Sequence, residues 1–232
     1  MARRLTAVLA MGVLSAATVS AGALSGLTDS ATGGDPSDAL TSVRVDDGSA
    51  TGVGGDESAI AILRHADGSR AGHARFHRDG RSTQVSVKLR LHERFRSAGG
   101  SFHGFHVHAN DVADNGSGCI ADADAAPSTW FLSADTHYER SETDHGQHSG
   151  DMPVVYSPDG GWAKASFTTD RFRVSDVVGR AVIVHAEPDN FGNVPVGTEP
   201  TQYSGTEQAR AVTMATGNAG DRIVCGVIRQ GR

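Results

Sequence analysis

Short segments in which apolar and polar residues alternate restrict this chain to an all-β fold more strongly than any other part of its sequence. Val85, Val87 and Leu89 alternate with Ser86 and Lys88, so that one side of the segment is apolar, as in a half-buried strand. The strand candidates are 59–63, 71–77, 85–91, 102–108, 162–168, 180–186 and 222–228. Gly makes up 29 of 232 residues, against an average of roughly 7%. Many turns between short strands predict one antiparallel sandwich or barrel.

Two long segments without strand patterning interrupt these candidates. They cover residues 109–154 and 187–221. Structureless segments of that length inside a compact domain usually carry function. We therefore expect the functional residues to lie on or beside these two loops.

The N-terminal residues predict an exported protein. Arg3 and Arg4 precede an uncharged apolar stretch that ends in an A-x-A pattern at residues 21–23, which is typical of a signal peptide. The predicted organisation is a signal peptide over residues 1–23, a flexible linker over 24–57 and a folded domain over 58–232. A retained membrane anchor is the alternative for the first segment. No later apolar run reaches the length of about 18 residues that a membrane span needs, so the protein is expected in the cell envelope or secreted.

The charge balance disfavours one class of partner. Lys and Arg number 21 against 27 Asp and Glu, a net charge of −6, which disfavours nucleic-acid binding. Removal of residues 1–23 takes away two Arg and no acids, leaving −8.

Export to an oxidising compartment bears on the cysteines. Cys119 and Cys225, the two cysteines of the chain, are expected to form a disulfide there. Two buried free thiols are the alternative.

A histidine pair in one strand candidate predicts a metal site. His106, Val107 and His108 follow one another. Because side chains at i and i+2 of a strand point to the same face, both imidazoles converge while Val107 turns to the other side. Taken alone, this pattern occurs in several unrelated metal-binding folds.

A second group of candidate ligands lies in the first long loop, and a third follows a later strand. Three His and one Asp occur within fifteen residues, and nitrogen and oxygen ligands without thiolate suit zinc or copper. The members of this group are His137, His145, His148 and Asp151. His185 ends the 180–186 strand candidate and is followed by Asp189. A solvated polar loop and a structural strand-end histidine are the alternatives for these two groups.

Taken together, four ordered motifs resemble the copper/zinc superoxide dismutase family, in its exported bacterial form. They are Gly104–His108, His148–Asp151, Gly179–His185, and Thr216–Arg222 followed by Cys225–Ile228. The resemblance covers about residues 58–230. It implies a Greek-key β-sandwich or barrel of about eight antiparallel strands, in which two long loops hold the metal sites.

The resemblance also implies an activity and a role for each site residue. The activity is conversion of superoxide to oxygen and hydrogen peroxide by alternate reduction and oxidation of a copper ion, bridged to zinc through His137. The implied copper ligands are His106, His108, His137 and His185. The implied zinc ligands are His137, His145, His148 and Asp151. Asp189 matches a carboxylate that links His106 and His145, Arg222 matches the arginine beside copper, and Cys119–Cys225 matches the disulfide.

The chain departs from the family pattern around zinc. His145 and His148 are only three positions apart, and the residues around His137 differ from the family's usual Pro-rich surroundings. These departures concern zinc affinity and loop shape more than copper binding. His103 matches a structural histidine, whereas the remaining histidines match no ligand: His65, His73, His77 and His92.

Three other functions compete with the dismutase interpretation. A non-catalytic secreted protein that sequesters copper and zinc would use the same ligands, but it would need neither Arg222 nor the 187–221 loop. A copper-only dismutase is disfavoured by the presence of all the zinc-type ligands. A cupin-like oxygenase would need a Glu at a set spacing after His108, which the sequence lacks. A monomer and a homodimer are both compatible with the sequence.

Overall fold

A computed structural model describes residues 57–116, 118–197 and 203–231. The predicted signal peptide and almost all of the predicted linker lie outside these residues. The described part contains nine strands, two helices and several short 3-10 turns. The strands are β1 (Ser58–Arg64), β2 (Arg70–Asp79), β3 (Ser82–Arg90), β4 (Ser101–His103), β5 (Phe105–His108), β6 (Val155–Ser157), β7 (Trp162–Thr169), β8 (Ala181–His185) and β9 (Arg222–Gln230). The helices are α1 (Val174–Val177) and α2 (Glu207–Thr216).

The strands form two antiparallel sheets, which confirms the predicted all-β class. Seven strands pair in the order β5-β8-β9-β1-β2-β3-β7 and curl into a half-barrel, and β4 pairs with β6 in a small second sheet. Each predicted strand segment overlaps an observed strand. The segment 102–108 is divided into β4 and β5 at Gly104, whose N–H donates to the carbonyl of Glu187. A Cβ at Gly104 would lie 2.6 Å from an Asp189 carboxylate oxygen, so the backbone there must pass close to the second long loop.

The inward face of the half-barrel forms the main hydrophobic core. Ala61, Ala74 and Val87 lie side by side on β1, β2 and β3 in the antiparallel register and are almost completely buried. Phe76 packs against Phe172 from the segment after β7, with ring centroids 6.2 Å apart. This face supplies most of the apolar burial that stabilises the domain.

The first long loop is held to the barrel by a second, smaller core and by a covalent bond. Trp130 and Phe131 of the loop pack with Ile183 of β8 and with Cys225 of β9. Cys119 forms a disulfide with Cys225, with a Cα–Cα distance of 5.6 Å, which confirms the predicted pairing.

The second long loop contains a helix that the alternation pattern does not reveal. The hydroxyl of Thr206 accepts a hydrogen bond from the N–H of Ala209 and caps the start of α2. Gly217 ends the helix in a left-handed conformation with φ of 58°, as glycine commonly does. The signal was present in these capping residues and in the helix-forming residues between them. Among the described residues, no helix is long and apolar enough to cross a membrane.

Loss of the disulfide should destabilise the domain substantially. The bond closes a chain segment of 106 residues, for which the chain-entropy model gives about 4–5 kcal/mol of stabilisation. We expect the double variant Cys119→Ser/Cys225→Ser to lose about that much free energy of unfolding, measured by urea denaturation under oxidising conditions. Under strong reductant the native protein should fall to the level of the variant. A loss below about 1 kcal/mol would show that the bridge does not constrain the unfolded chain as this model requires.

Candidate metal centre

Strand pairing brings the first histidine cluster together at one edge of the seven-stranded sheet. His106 and His108 lie on β5, which pairs with β8, and His185 ends β8. Val107 between them is fully buried in the main core, as the alternation predicts. His137 reaches the same place from the first long loop through an isolated bridge to His108. One ring nitrogen from each of the four histidines lies within 4.8 Å of the others, and all four residues are buried.

Hydrogen bonds to backbone carbonyls orient the rings of His108 and His185 so that Nε2 of each is free to bind a metal. Nδ1–H of His108 donates to the Asp135 carbonyl at 2.8 Å, and Nδ1–H of His185 donates to the Gly220 carbonyl at 3.0 Å. Their Nε2 atoms face each other at 3.3 Å. Two ligands of one ion with bonds of about 2.0 Å in tetrahedral geometry lie about 3.3 Å apart. The pair therefore fits two ligands of a common metal ion.

The ring of His106 is oriented by a carboxylate that lies at its Nε2, so that its Nδ1 is the free nitrogen. Its Nε2 lies 3.1 Å from Oδ2 of Asp189, while its buried Nδ1 has no hydrogen-bond partner among the described residues. A buried ring nitrogen without a partner costs free energy. A metal ion in the cluster would remove that cost, so the donor set fits a bound metal.

The second cluster lies on the other side of His137. Nδ1 of His137 is 3.0 Å from Oδ1 of Asp151 and 3.2 Å from Nδ1 of His148. Nδ1 of His148 is 3.3 Å from the same Asp151 oxygen. Three potential ligand atoms thus form a triangle with edges close to the tetrahedral spacing of about 3.3 Å. Nε2–H of His148 donates to the Thr143 carbonyl at 3.0 Å, which directs its Nδ1 into the cluster.

His145 approaches this cluster from a different direction. It forms a four-residue group with His137, Asp151 and His106, in which one ligand atom of each lies within 4.8 Å of the others. The rings of His145 and His148 are 6.0 Å apart, and His148 is not a member of that four-residue group. His145 and His148 therefore both lie next to His137 and Asp151, but in two different sets. One set is His137, Asp151 and His148, and the other is His137, Asp151, His145 and His106.

Asp189 lies between the two clusters, as the sequence resemblance implies. Its Oδ1 is 3.0 Å from Nε2 of His106 and 3.6 Å from Nε2 of His145. The side chains of all three residues are completely buried. Asp189 is therefore within hydrogen-bond distance of His106 and next to His145, whose ring nitrogens have no hydrogen-bond partner among the described residues. An outer carboxylate of this kind commonly fixes the orientation of a ligand ring.

The electrostatics keep most of the first cluster neutral at pH 7. Burial lowers the pKa of His106 and His108 well below the usual 6.5, and the neighbouring His137 lowers both further. Burial, then His137, lowers the pKa of His185 to about 3. Neutral rings keep a lone pair, which metal binding requires.

The second cluster carries the negative charge. Burial alone would raise the pKa of Asp151, but hydrogen bonds with His137 and His148 outweigh it and lower the pKa well below the usual range. Burial lowers the pKa of His148, yet the Asp151 hydrogen bond and charge outweigh it, so the pKa of His148 is raised above 6.5. A metal at this ring therefore competes with a proton near neutral pH.

Arg222 is held beside the first cluster at the start of β9. Its two terminal nitrogens donate to the carbonyls of Phe131 and Asp135, each at 2.7 Å. The Asp135 carbonyl also accepts from His108, so one oxygen ties the guanidinium to a ring of the cluster. No carboxylate lies within ion-pair distance of Arg222 in the described part of the chain.

The structure adds two residues that sequence reasoning did not identify. Arg171 donates to the carbonyls of His148 at 2.9 Å and Gly146 at 2.8 Å, so it holds the short turn between His145 and His148. Phe191 stacks on the ring of His145 at 5.8 Å. Neither carries a sequence signal, because each acts on residues more than twenty positions away.

The other histidines lie outside both clusters. His103 is buried and structural, since its ring is within hydrogen-bond distance of the Ser101 hydroxyl at 2.7 Å and of the His185 carbonyl at 2.9 Å. The histidines predicted to be non-ligands are likewise absent from both candidate metal groups: His65, His73, His77 and His92.

The fold is an antiparallel half-barrel that carries two histidine-rich clusters, which share His106 and His137 and have donor groups suited to two adjoining metal ions. The family model for copper/zinc superoxide dismutase (SODC) matches residues 70–228, which is more than half of the chain. The chain belongs to the copper/zinc superoxide dismutase family, as the ordered motifs predict.

Two sequence relatives agree with this assignment. The chain is 31% identical over 193 residues to the Cu-Zn superoxide dismutase of Mycolicibacterium paratuberculosis, covering 79% of this chain and 82% of that protein. It is also 31% identical over 180 residues to the Cu-Zn superoxide dismutase of Mycobacterium tuberculosis, covering 76% and 72%. The crystal structure of the clock protein EA4 has 22% sequence identity, covers 75% of this chain and 94% of that one, and gives a TM-score of 0.49.

The close approach of α2 to the second cluster predicts a sensitive glycine. A Cβ at Gly217 would lie 2.3 Å from the His145 ring, and φ there is +58°. At Gly80 φ is +59°, but nothing lies within 4 Å of such a Cβ. Gly80→Ala should therefore cost only the backbone strain of about 1–2 kcal/mol, whereas Gly217→Ala should cost clearly more.

The measurement is the free energy of unfolding of the metal-free protein in urea. The difference between the two variants isolates the contact with His145, because the backbone conformation is matched. Equal losses in the free energy of unfolding would show that a Cβ at position 217 does not clash with the His145 ring.

Proposed function

We propose that this chain is an exported superoxide dismutase that converts superoxide to oxygen and hydrogen peroxide at a copper–zinc pair. His106 and His137 belong to both candidate metal groups, but Nε2 of His106 lies 3.1 Å from Asp189. The observation that supports the proposal most directly is that His137 is in the first group while its Nδ1 lies 3.0 Å from Asp151 and 3.2 Å from Nδ1 of His148. A single imidazole has two ring nitrogens and can contribute one to each site. Membership of the family and the donor chemistry of both clusters agree with this proposal.

In the proposed assignment the first cluster holds copper. His106, His108, His137 and His185 supply four imidazole nitrogens, which suit copper. Copper, when bound there, supplies the electron exchange that dismutation needs. The chain itself contributes rings whose orientation is set in advance by the Asp135 and Gly220 carbonyls and by Asp189.

The second cluster holds zinc in this assignment, with His137, His145, His148 and Asp151 as ligands. Asp151 brings a charge that offsets part of the cation's charge, and its second oxygen, Oδ2, accepts from the backbone N–H of Gly146 at 2.7 Å. His137 can serve both sites only when neither ring nitrogen carries a proton. Nε2 of His137, the ring nitrogen on the side away from Asp151 and His148, could hold a proton whenever it does not ligate a metal and would be placed to deliver it to the product.

Arg222 is proposed to bind the superoxide anion. Its guanidinium is always cationic. Its hydrogen bonds go to neutral carbonyls, and in the described part of the chain the carboxylate that acts on it electrostatically, Asp135, makes no ion pair with it. The net charge of the chain is −6. Attraction of the anion must therefore come from this local cation and the metals rather than from the protein as a whole.

A non-catalytic metal-sequestering protein is the alternative function. Sequestration would require the two clusters but not a cation fixed beside the first one. The hydrogen bonds that hold Arg222 next to His108 favour catalysis. Export also remains part of the proposal, since the predicted signal peptide lies outside the described residues.

Arg222 separates catalysis from metal storage. We expect Arg222→Gln to lower the rate of superoxide consumption by at least about tenfold and to flatten its dependence on salt, with copper content unchanged. Arg229→Gln, at the exposed end of the same strand, is the matched control and should keep the native rate. Elemental analysis measures the copper content and a superoxide assay measures the rate, both on the same samples. Bound copper and zinc without turnover in the native protein would support sequestration instead.

Arg171 tests the zinc assignment. Arg171→Gln removes at least one of the two hydrogen bonds to the turn at Gly146 and His148 and should weaken zinc binding by about tenfold, the lower end for outer-shell changes. Arg173→Gln, two positions away and exposed, is the control and should bind zinc normally. Competition with a chelator measures both affinities. Equal affinities would show that the short turn holds its shape without Arg171.

A further inference from the structure

Five neighbouring strands carry almost only positive charge. Strands β9, β1, β2, β3 and β7 lie side by side in the large sheet. Together they contain nine Lys or Arg residues and one acid, Asp79, at the end of β2. The whole chain has more acids than bases, 27 against 21, so the positive charge is concentrated on this part of the fold.

The strand register places these cations on the outward face. Arg75 of β2 lies beside Ile60 of β1, which lies beside Arg229 of β9. Lys88 of β3 lies directly opposite Lys164 of β7. The inward neighbours in the same strands are buried apolar residues. We call the outward side chains of Arg75, Lys88, Arg90, Lys164 and Arg229 the cationic face.

The arrangement is unfavourable for the isolated protein. Like charges directly opposite each other on neighbouring strands destabilise a sheet, and Lys88 and Lys164 are such a pair. In the described part of the chain, none of the five cations has a carboxylate within 4.0 Å. Burial, followed by the charges of Arg75, Arg70 and Lys88, lowers the pKa of the adjacent His73, as a positive potential requires. A negatively charged partner would relieve this repulsion.

An exposed tryptophan lies within the same surface. Trp162 is opposite Arg90 in the register and is 48% exposed. The Lys88 ammonium and the Arg90 guanidinium lie 5.4 and 5.8 Å from its ring. An exposed tryptophan flanked by Lys and Arg is typical of residues at a lipid headgroup layer.

The width of the cationic face indicates that its partner is an extended surface rather than a small ligand. Five strands at a spacing of about 4.8 Å span about 19 Å, so the cations are spread over an area that no single phosphate could contact. The candidate metal clusters involve β5 and β8, at the end of the strand order opposite β7, and β8 pairs with β9. A partner centred on β2, β3 and β7 would contact strands that carry none of the cluster histidines.

We propose that the cationic face binds peripherally to an anionic lipid bilayer, through phosphate headgroups on the cations and insertion of Trp162 into the headgroup layer. The spread of charge over several strands and the exposed aromatic ring favour a bilayer over a soluble anion. Near an anionic surface each Lys or Arg contributes about 1 kcal/mol, or about fivefold in affinity. This inference does not depend on the proposed catalytic activity.

The test compares two double variants of equal charge. Lys88→Gln/Lys164→Gln removes two cations from the face, whereas Arg94→Gln/Arg210→Gln removes two exposed cations from outside the five strands. Binding is measured by co-sedimentation with vesicles containing about one third phosphatidylglycerol at low salt. We expect the first variant to lose about 25-fold in affinity and the second to change little. The native protein should not bind phosphatidylcholine vesicles, and about 0.5 M salt should abolish binding to the anionic ones.

Tryptophan fluorescence provides a second measurement. Of the two tryptophans, Trp130 is 1% exposed and Trp162 is 48% exposed, so a blue shift on anionic vesicles reports insertion of Trp162. Equal affinity of the two double variants, or binding to neutral vesicles, would overturn the proposal. So would binding to soluble polyphosphate with no binding to vesicles. The glutamine variants should fold normally, which thermal unfolding checks, because both lysines are exposed.

Discussion

The carbonyl oxygen of Asp135 joins the first long loop, the barrel and the cationic side chain beside the candidate metal centre. It accepts one hydrogen bond from His108 of β5 and another from Arg222 of β9. Asp135 itself has a left-handed backbone conformation, with φ of 64°, and its carboxylate accepts from the backbone of Asp111 and Val112. A loop residue is therefore held in an unusual conformation so that one oxygen can orient a ring and a guanidinium. Without that oxygen the tautomer of His108 would not be fixed, and Arg222 would keep only its hydrogen bond to the Phe131 carbonyl.

The clusters themselves are costly for the metal-free protein. Four buried histidines of the first cluster must remain neutral, and the buried Nδ1 of His106 has no partner among the described residues. A buried unsatisfied polar group costs about 1–3 kcal/mol. Core packing around Val107 and the disulfide to Cys225 supply the rigidity that keeps the rings together. Because metal binding would satisfy these groups, loading and stability are expected to be linked.

Charge is distributed unevenly between the two long loops and the five strands β9, β1, β2, β3 and β7. The acids lie mainly in the long loops, whereas the five strands that end at β7 contain a single acid. A net charge of −6 describes neither part. It disfavours a protein that binds polyanions over its whole surface, but it conceals the cationic face. Only the pairing of β3 with β7 shows that Lys88 and Lys164 are neighbours, although 76 positions separate them in the chain.

Alternation of apolar and polar residues was sufficient to predict the all-β class, because a period of two reports directly which face of a strand is buried. The spacing of His106 and His108 predicted that both rings share a face, and ordered motifs identified the family. Helix α2 is also encoded locally, in the capping residues Thr206 and Gly217, which the alternation does not report. Tertiary structure alone decided other contacts: Arg171 reaches carbonyls 23 and 25 positions away. The ring of His145 likewise stacks on Phe191 from the other long loop. Local sequence encodes the period of a strand, whereas most contacts that orient the cluster rings are made between segments that meet only in the folded domain.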